Sequence, residues 1–517
     1  MPTYLSPGVY VEEVSSGSRP IEGVGTAVAG FIGFASQGPF NTPTLVTNWS
    51  QYTEQFGDFV EGCYLAHAVY GYFLNGGGNC YVVRLGGARD QGNGKSDVPQ
   101  AMLGPYRVVA KETRAGRSSA ELTVEVTELP PPAEGEPPPP DDRFNLVVKR
   151  GGRVAETFDG VTVKRGKENV VTAVRERSKL ITLEEPSSAP DTVTALPKGT
   201  VALRESPAAP ATPRQMATED YVGDAGERTG VGGLEAIDEI TMVSAPDLMG
   251  AYHRGIIDLE SVKAVQLAMI AHCEQMGDRM AVLDPPPSLS AQQMREWRTD
   301  LAGYDTAYGA LYYPWVKVFD PATGTNVFVP PSGHVAGVWA RNDSTRGVHK
   351  APANEVIRGA IALETHLTRG EQELLNPNGV NCIRAFPGRG VRIWGARTLS
   401  SDPEWRYLNV RRLFNFLEES ILNGTQWVVF EPNDDALWAK VRRTISAFLV
   451  LQWNSGALFG LTPTEAFFVK CDRETNPAES IDAGQVICEI GVAPVKPAEF
   501  VIFRLAQMSG GNSLVSE

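Results

Sequence analysis

The chain has 517 residues, 42% hydrophobic and 21% charged, with a formal net charge of −14. That balance belongs to a globular protein long enough for several domains with sizeable cores, and it excludes a disordered or fibrous chain. The acidic surplus argues against nucleic acid and anionic membrane as partners.

Six cysteines (Cys63, Cys80, Cys273, Cys382, Cys471, Cys488) are scattered without a CxxC pair, which reads as free thiols of a reducing compartment. Met1–Leu5 shows no basic segment leading into an apolar core, and no apolar run approaches the ~18 residues of a membrane span. The expected location is the cytoplasm, with no membrane insertion.

In chain order, residues 6–14 (SPGVYVEEV) alternate like an edge strand. Thr26–Ala35 reads as a buried strand, Trp49–Phe56 and Ala66–Leu74 as helices, and Cys80–Leu85 as a further strand after the turn Asn75-Gly76-Gly77-Gly78. From about Ser96 to Ala217 the pattern changes to short β-like runs, with a hairpin at Gly151-Gly152 and a stiff proline-rich loop over 130–140. Strand and helix then alternate: Ile240–Ser244, a helix capped by Asp258 and stopped by Gly277, Met280–Leu283, a helix over Ser290–Leu301, and one long strand over Gly309–Phe319. This rhythm implies βαβ units and a largely parallel sheet.

Toward the end, Asp402-Pro403-Glu404 announces a helix, with Tyr407, Val410, Phe414, Leu417 and Ile421 as its apolar stripe and Asn423-Gly424 as its stop. A buried strand is expected over Gln426–Phe430. A second helix follows, with Asn433 as cap, Asp434 and Asp435 in the first turn, and Leu437, Val441, Ile445 and Phe448 inward. Glu499–Leu505 (EFVIFRL) is a last strand, too apolar for a free tail, which must pair with some sheet edge.

Catalytic constellations are incomplete. Asp284 and His334, in Gly333-His334-Val335-Ala336-Gly337, stand in the order of an Asp…His…Ser triad, but no serine in a nucleophile motif follows. Gly94-Lys95-Ser96 lacks the first glycine of a phosphate-binding loop, Gly23-x-Gly25 lacks the third glycine of a dinucleotide fingerprint, and His272-Cys273 point to different helix faces. No cofactor, metal or enzymatic activity is expected; a subtilisin-like serine hydrolase is the rival reading.

The runs EWRYLNVRRLFNFLEESILNGTQWVVFEPND, GLTPTEAFFVKCD and APVKPAEFVIFRLAQ closely resemble the C-terminal domain of contractile tail sheath proteins, and the opening PGVYVEE resembles their N-terminus. The resemblance implies an α/β multidomain chain. Its parts would be an N-terminal arm (1–20), the first part of an α/β core (21–95), an inserted β-rich outer domain (96–217), a central domain of subtilisin-like topology without a triad (218–378), an α+β C-terminal sheath domain (379–495) and a C-terminal arm (496–517). It implies exchanged terminal strands, carried by Val9, Tyr10, Val11 and Glu12 at one end and Phe500, Val501, Ile502 and Phe503 at the other. Its implied partners are further copies in a helical homo-oligomer of stacked hexameric rings, an inner tube protein, and baseplate and terminal cap proteins. Among the basic residues of the two long C-terminal helices, which include Arg411 and Arg412, Lys440, Arg442 and Arg443 are the candidate contacts to the inner tube.

Overall fold

The computed structural model describes residues 20–86, 100–103, 106–111, 122–127, 129, 143–164, 166, 168–184, 199–203 and 216–505. They fall into two compact units: residues before 87 together with those from 214 onward, and the stretch between. The N-terminal strand residues Val9, Tyr10, Val11 and Glu12 and the proline-rich loop lie outside the described residues.

The larger unit is built on an eight-stranded sheet. Its spatial order is Gly390–Ile393, Val380–Phe386, Gly309–Tyr313, Met280–Leu283, Met242–Ser244, Val28–Gly33, Asn79–Arg84, Thr44–Val46. The six inner strands run parallel and the two edge strands antiparallel. Strands such as Val28–Gly33 and Met280–Leu283 are buried at every position, as a parallel sheet covered on both faces requires.

The Leu259–Met276 helix starts where Asp258 accepts from the Ser261 amide and stops at Gly277 in the left-handed region, as its sequence signals predict. Two expectations change. Pro314 has no N–H to give a ladder, so the long strand over Gly309–Phe319 breaks there. Its second half, Val316–Asp320, joins a separate sheet with Thr325–Val329 and Ala362–Leu363. The helix over Ser290–Leu301 is α-helical only to Glu296 and closes in a π turn, Trp297–Ala302.

The buried helix Ser332–Arg346 lies against Leu65–Asn75. A Cβ on Gly333 would sit 2.3 Å from the Ala68 Cα, and one on Gly337 would sit 2.4 Å from the Tyr72 carbonyl oxygen. The two glycines flanking His334 are therefore explained by helix–helix approach.

In the C-terminal part the first long helix begins at Leu408, not at Asp402. Asp402 accepts from the Glu404 amide at 2.8 Å in a local turn, and the Arg397–Tyr407 bridge holds the following residues extended. The helix runs through Asn423-Gly424 to Thr425. Gln426–Phe430 is not a buried strand: Gln426–Val428 forms a 3₁₀ turn, and Phe430 is fully exposed at φ 68°. The second helix, Asp435–Asn454, is capped by Asp434, which accepts from Leu437 N at 2.8 Å; Asn433 instead accepts from the Trp438 indole. Leu437, Val441, Ile445 and Phe448 face the core with Leu413 and Leu417 of the first helix.

The smaller unit carries a four-stranded antiparallel sheet, ordered Gly199–Ala202, Leu122–Thr127, Arg143–Arg150, Arg153–Thr162. A second, three-stranded sheet orders Gln100–Leu103, Tyr106–Ala110, Ile181–Glu184. Gly151 and Gly152 turn between strands at φ 58° and 80°, where a two-residue hairpin demands positive φ. The helix Val170–Arg177, capped by Asn169, was not evident in the periodicity; Val170, Ala173 and Val174 pack with Leu146, Phe158 and Ile181.

Candidate assembly interface

The C-terminal strand pair stands on the Asp435–Asn454 helix. Phe467–Lys470 runs antiparallel to Glu489–Val492, with Phe467 opposite Val492 and Lys470 opposite Glu489. Among the described residues this sheet has two strands, prolonged by a bridge between Leu458 and Pro494. Phe459, Leu461 and Phe468 leave large apolar surface exposed around it. The strand Glu489–Val492 was missed in the sequence, because Gly491 and Glu489 dilute its short alternation.

Beyond Val495 the chain leaves the sheet and is fixed at Glu499. That carboxylate accepts from Arg397 Nε at 2.9 Å and Nη2 at 2.5 Å, from Asn376 Nδ2 at 2.8 Å and from the Tyr407 hydroxyl at 3.3 Å. Burial raises the pKa of Glu499, but the Arg397 and Asn376 hydrogen bonds outweigh it and hold the carboxyl below its ordinary value. Nothing local in the sequence marks these partners, which stand 92 to 123 residues before Glu499.

Phe500, Val501, Ile502 and Phe503 follow at 72%, 67%, 78% and 85% exposure and pair with no strand among the described residues. The segment expected to be a strand therefore presents an apolar run to solvent.

The basic candidates separate. Lys440 lies over the Trp427 ring at 4.0 Å, Arg442 donates to the Cys471 carbonyl at 2.7 Å, and Arg443 is exposed. Arg411 and Arg412, the other basic residues named on these helices, are buried and internally paired. Arg411 bonds Asn415 and Glu418, and Arg412 forks onto Asp343 at 2.9 and 2.5 Å.

The would-be triad residues do different work. Asp284 accepts from the Ser332 amide at 2.9 Å and its hydroxyl at 2.5 Å, so it caps the helix that carries His334. Burial pushes the Asp284 carboxyl up to about 7 and His334 down to about 4. His334 packs beside Gly71, and among the described residues its Nδ1 has no hydrogen-bond partner. Among the described residues no helix is long and apolar enough to cross a membrane, and no group of side chains has a metal-binding arrangement.

These features define a mixed α/β multidomain chain. Residues 226–399 match the phage tail sheath protein central domain, and 400–507 match the phage tail sheath C-terminal domain. The tail sheath protein of Burkholderia phage BcepMu is 25% identical over 531 residues, covering 98% of each chain. A putative prophage major tail sheath protein of Pseudomonas aeruginosa (strain UCBPP-PA14) is 30% identical over 298 residues, 55% of this chain and 70% of that protein. The helical sheath of the anti-feeding prophage in its contracted state shares the fold at a TM-score of 0.59 and 25% identity, over 98% of this chain and 100% of that one. The PVC sheath complex of an extracellular contractile injection system, also contracted, matches at a TM-score of 0.59 and 24% identity, over 98% and 99%. The chain belongs to the phage tail sheath family.

Proposed function

We propose that this chain is the sheath subunit of a contractile tail or tail-like injection particle. It polymerises as stacked hexameric rings around an inner tube, and the sheath shortens to drive the tube through a target envelope. The observation that carries this reading is the run Phe500–Phe503, apolar, exposed and tethered at Glu499. Docked as a strand on another copy's Phe467–Lys470/Glu489–Val492 sheet, it would bury its phenylalanines at roughly 1.5–3 kcal/mol each and gain ladder hydrogen bonds of about 0.5–1.5 kcal/mol. Ordering the backbone costs about 1–2 kcal/mol per residue, so a single joint is modest and its strength comes from repetition along the polymer.

In this reading Val9–Glu12 form the second exchanged strand, and the six-part division given above describes the subunit, with a central domain of subtilisin-like topology. The parallel strands and helical crossovers after Met242 support that topology. Lys440, Arg442 and Arg443, on the Asp435–Asn454 helix, are the contacts assigned to the inner tube, with Arg443 the one among them without an internal partner among the described residues; baseplate and terminal cap proteins close the ends. Synthesis in the cytoplasm fits six unpaired thiols. Contraction is a switch between two packings of one folded subunit, needing no nucleotide.

Electron microscopy of the full chain, alone and with its tube protein, tests this: hollow striated cylinders are expected. Deletion of residues 499–517 should leave folded, soluble monomer and no cylinders. Intact cylinders from that truncation would overturn the strand-exchange model.

A further inference from the structure

The register of the C-terminal hairpin pairs Phe467 with Val492, Phe468 with Gly491, Val469 with Ile490 and Lys470 with Glu489. One step further it sets Cys471 opposite Cys488. Ala493 N donates to the Ala466 carbonyl at 2.8 Å, which marks that opposed pair as hydrogen-bonded. Counting along the alternation puts Cys471 and Cys488 at a non-hydrogen-bonded position. Opposed residues there have Cα atoms about 4.5 Å apart with side chains close, inside the roughly 4.4–6.8 Å that a disulfide spans.

The surroundings hold the two strand ends together. Asn476 donates to the Ile487 carbonyl at 3.0 Å and accepts from the Ile487 amide at 2.6 Å, while its Nδ2 lies 4.0 Å from Cys471 Sγ. Arg442 fixes the Cys471 carbonyl. Each thiol is close enough to the other to shift its proton affinity. Cys471 is buried and Cys488 half-buried, so reagent reaches the pair through Cys488.

We propose that Cys471 and Cys488 are a redox pair that closes into a cross-strand disulfide, stapling the base of the hairpin. The oxidant is a low-molecular-weight disulfide. The Cys488 thiol loses its proton, and its sulfur attacks one sulfur of the reagent, breaking that S–S bond and expelling one thiolate. Cys471 then loses its proton and attacks the Cys488 sulfur of the mixed disulfide, expelling the second thiolate. The protein loses two protons and two electrons, and the reagent is reduced to two thiols.

Burial pushes Cys488 up to about 12, so little thiolate is present at neutral pH and closure is slow. The pair is a staple rather than a fast sensor: reduced while the chain is made, closed on long exposure to an oxidising medium. Closure ties the segment between the two cysteines, including the helix Ala478–Asp482, and restrains the unfolded chain. That such exposure follows release of a particle rests on the sheath reading; the pairing itself does not.

The test uses purified, unassembled full chain. It is incubated natively with oxidised glutathione at mildly alkaline pH, its remaining thiols are blocked with a maleimide, and it is digested without reduction for mass spectrometry. A Cys471–Cys488 linked peptide is expected, with a raised melting temperature reversed by dithiothreitol. In Cys471→Ser, Cys488 should stop at the glutathione adduct; if that variant fails to fold, Cys488→Ser should give no linked peptide. Recovery of both cysteines from the native chain singly blocked, singly glutathionylated, or linked to any other cysteine would overturn the assignment, whether or not cylinders form.

Discussion

Arg397 holds Glu499 through two guanidinium nitrogens, at 2.9 Å from Nε and 2.5 Å from Nη2, across 102 residues of sequence. Four donors converge on this one carboxylate, and the exposed apolar run starts at the next residue. The pair marks where the folded body ends and the arm begins. A tether of this kind limits the directions in which Phe500 can leave, which shortens the search for a neighbouring sheet.

Replacing Glu499 by Gln keeps the shape but removes the charge that Arg397 grips. Hydrogen bonds to charged groups contribute about 1.5–3 kcal/mol. The variant should melt modestly below the parent, because the buried Arg397 loses its charged partner, and should form fewer and shorter cylinders by sedimentation and microscopy. Cylinder yield equal to the parent would sink the tether argument.

The same carboxyl sets an acid limit. Its folded pKa lies below the ordinary value of 4.5, so its contribution is present above that value and is lost as pH falls through the lowered one. Cylinders should therefore loosen below about pH 4.5, with exchange of the 499–505 backbone rising first in hydrogen-exchange mass spectrometry. Glu499→Gln should remove the pH dependence of that local exchange.

Asp284 runs in the opposite sense. Burial raises its pKa from 3.8 to about 7, so the folded state holds a proton that the unfolded state releases across that window. Stability should fall as pH rises from 3.8 to about 7 and then level, by up to about 1.4 kcal/mol per pH unit. Asp284→Asn keeps an acceptor for Ser332 and should flatten that slope in chemical denaturation at a series of pH values.

Much of this architecture was legible locally. Asp258 and Gly277 bracket a helix by their own chemistry, and Gly151-Gly152 names its turn. What failed was whatever distant contact decides. Asp402-Pro403-Glu404 has every mark of a helix start, yet the bridge between Arg397 and Tyr407 claims the segment after it. Nothing local to Arg411 and Arg412 shows that they are buried, because the carboxylate that pairs with Arg412 stands 69 residues earlier, on another helix. The arm itself was visible as composition, but its tether was not, since Arg397, Asn376 and Tyr407 meet Glu499 only in the fold.

The pair Arg412–Asp343 shows how tightly the two halves of the larger unit are joined. Both side chains are 3% exposed, and each also serves Thr26: its hydroxyl donates to Asp343 at 2.8 Å and its carbonyl accepts from Arg412 at 3.0 Å. Removing one partner leaves a buried charge, which costs about 3–5 kcal/mol. Arg412→Met should therefore lower the melting temperature markedly and reduce soluble yield, while Arg412→Met with Asp343→Leu should recover much of the loss. An Arg412→Met chain as stable as the parent would refute the claim.

Helix packing at Gly333 leaves no room for even one methyl group. An alanine Cβ would meet the Ala68 backbone at 2.3 Å, far inside contact distance, and the atoms it meets belong to the main chain rather than to a pliable side-chain end. Overpacking of this kind costs about 1–3 kcal/mol or more. Gly333→Ala should lower stability by at least that amount in denaturant titrations, whereas Gly370→Ala, with open space around its Cβ, should change little. Equal effects at the two positions would show that helix propensity, and not the close approach to Ala68, governs the outcome.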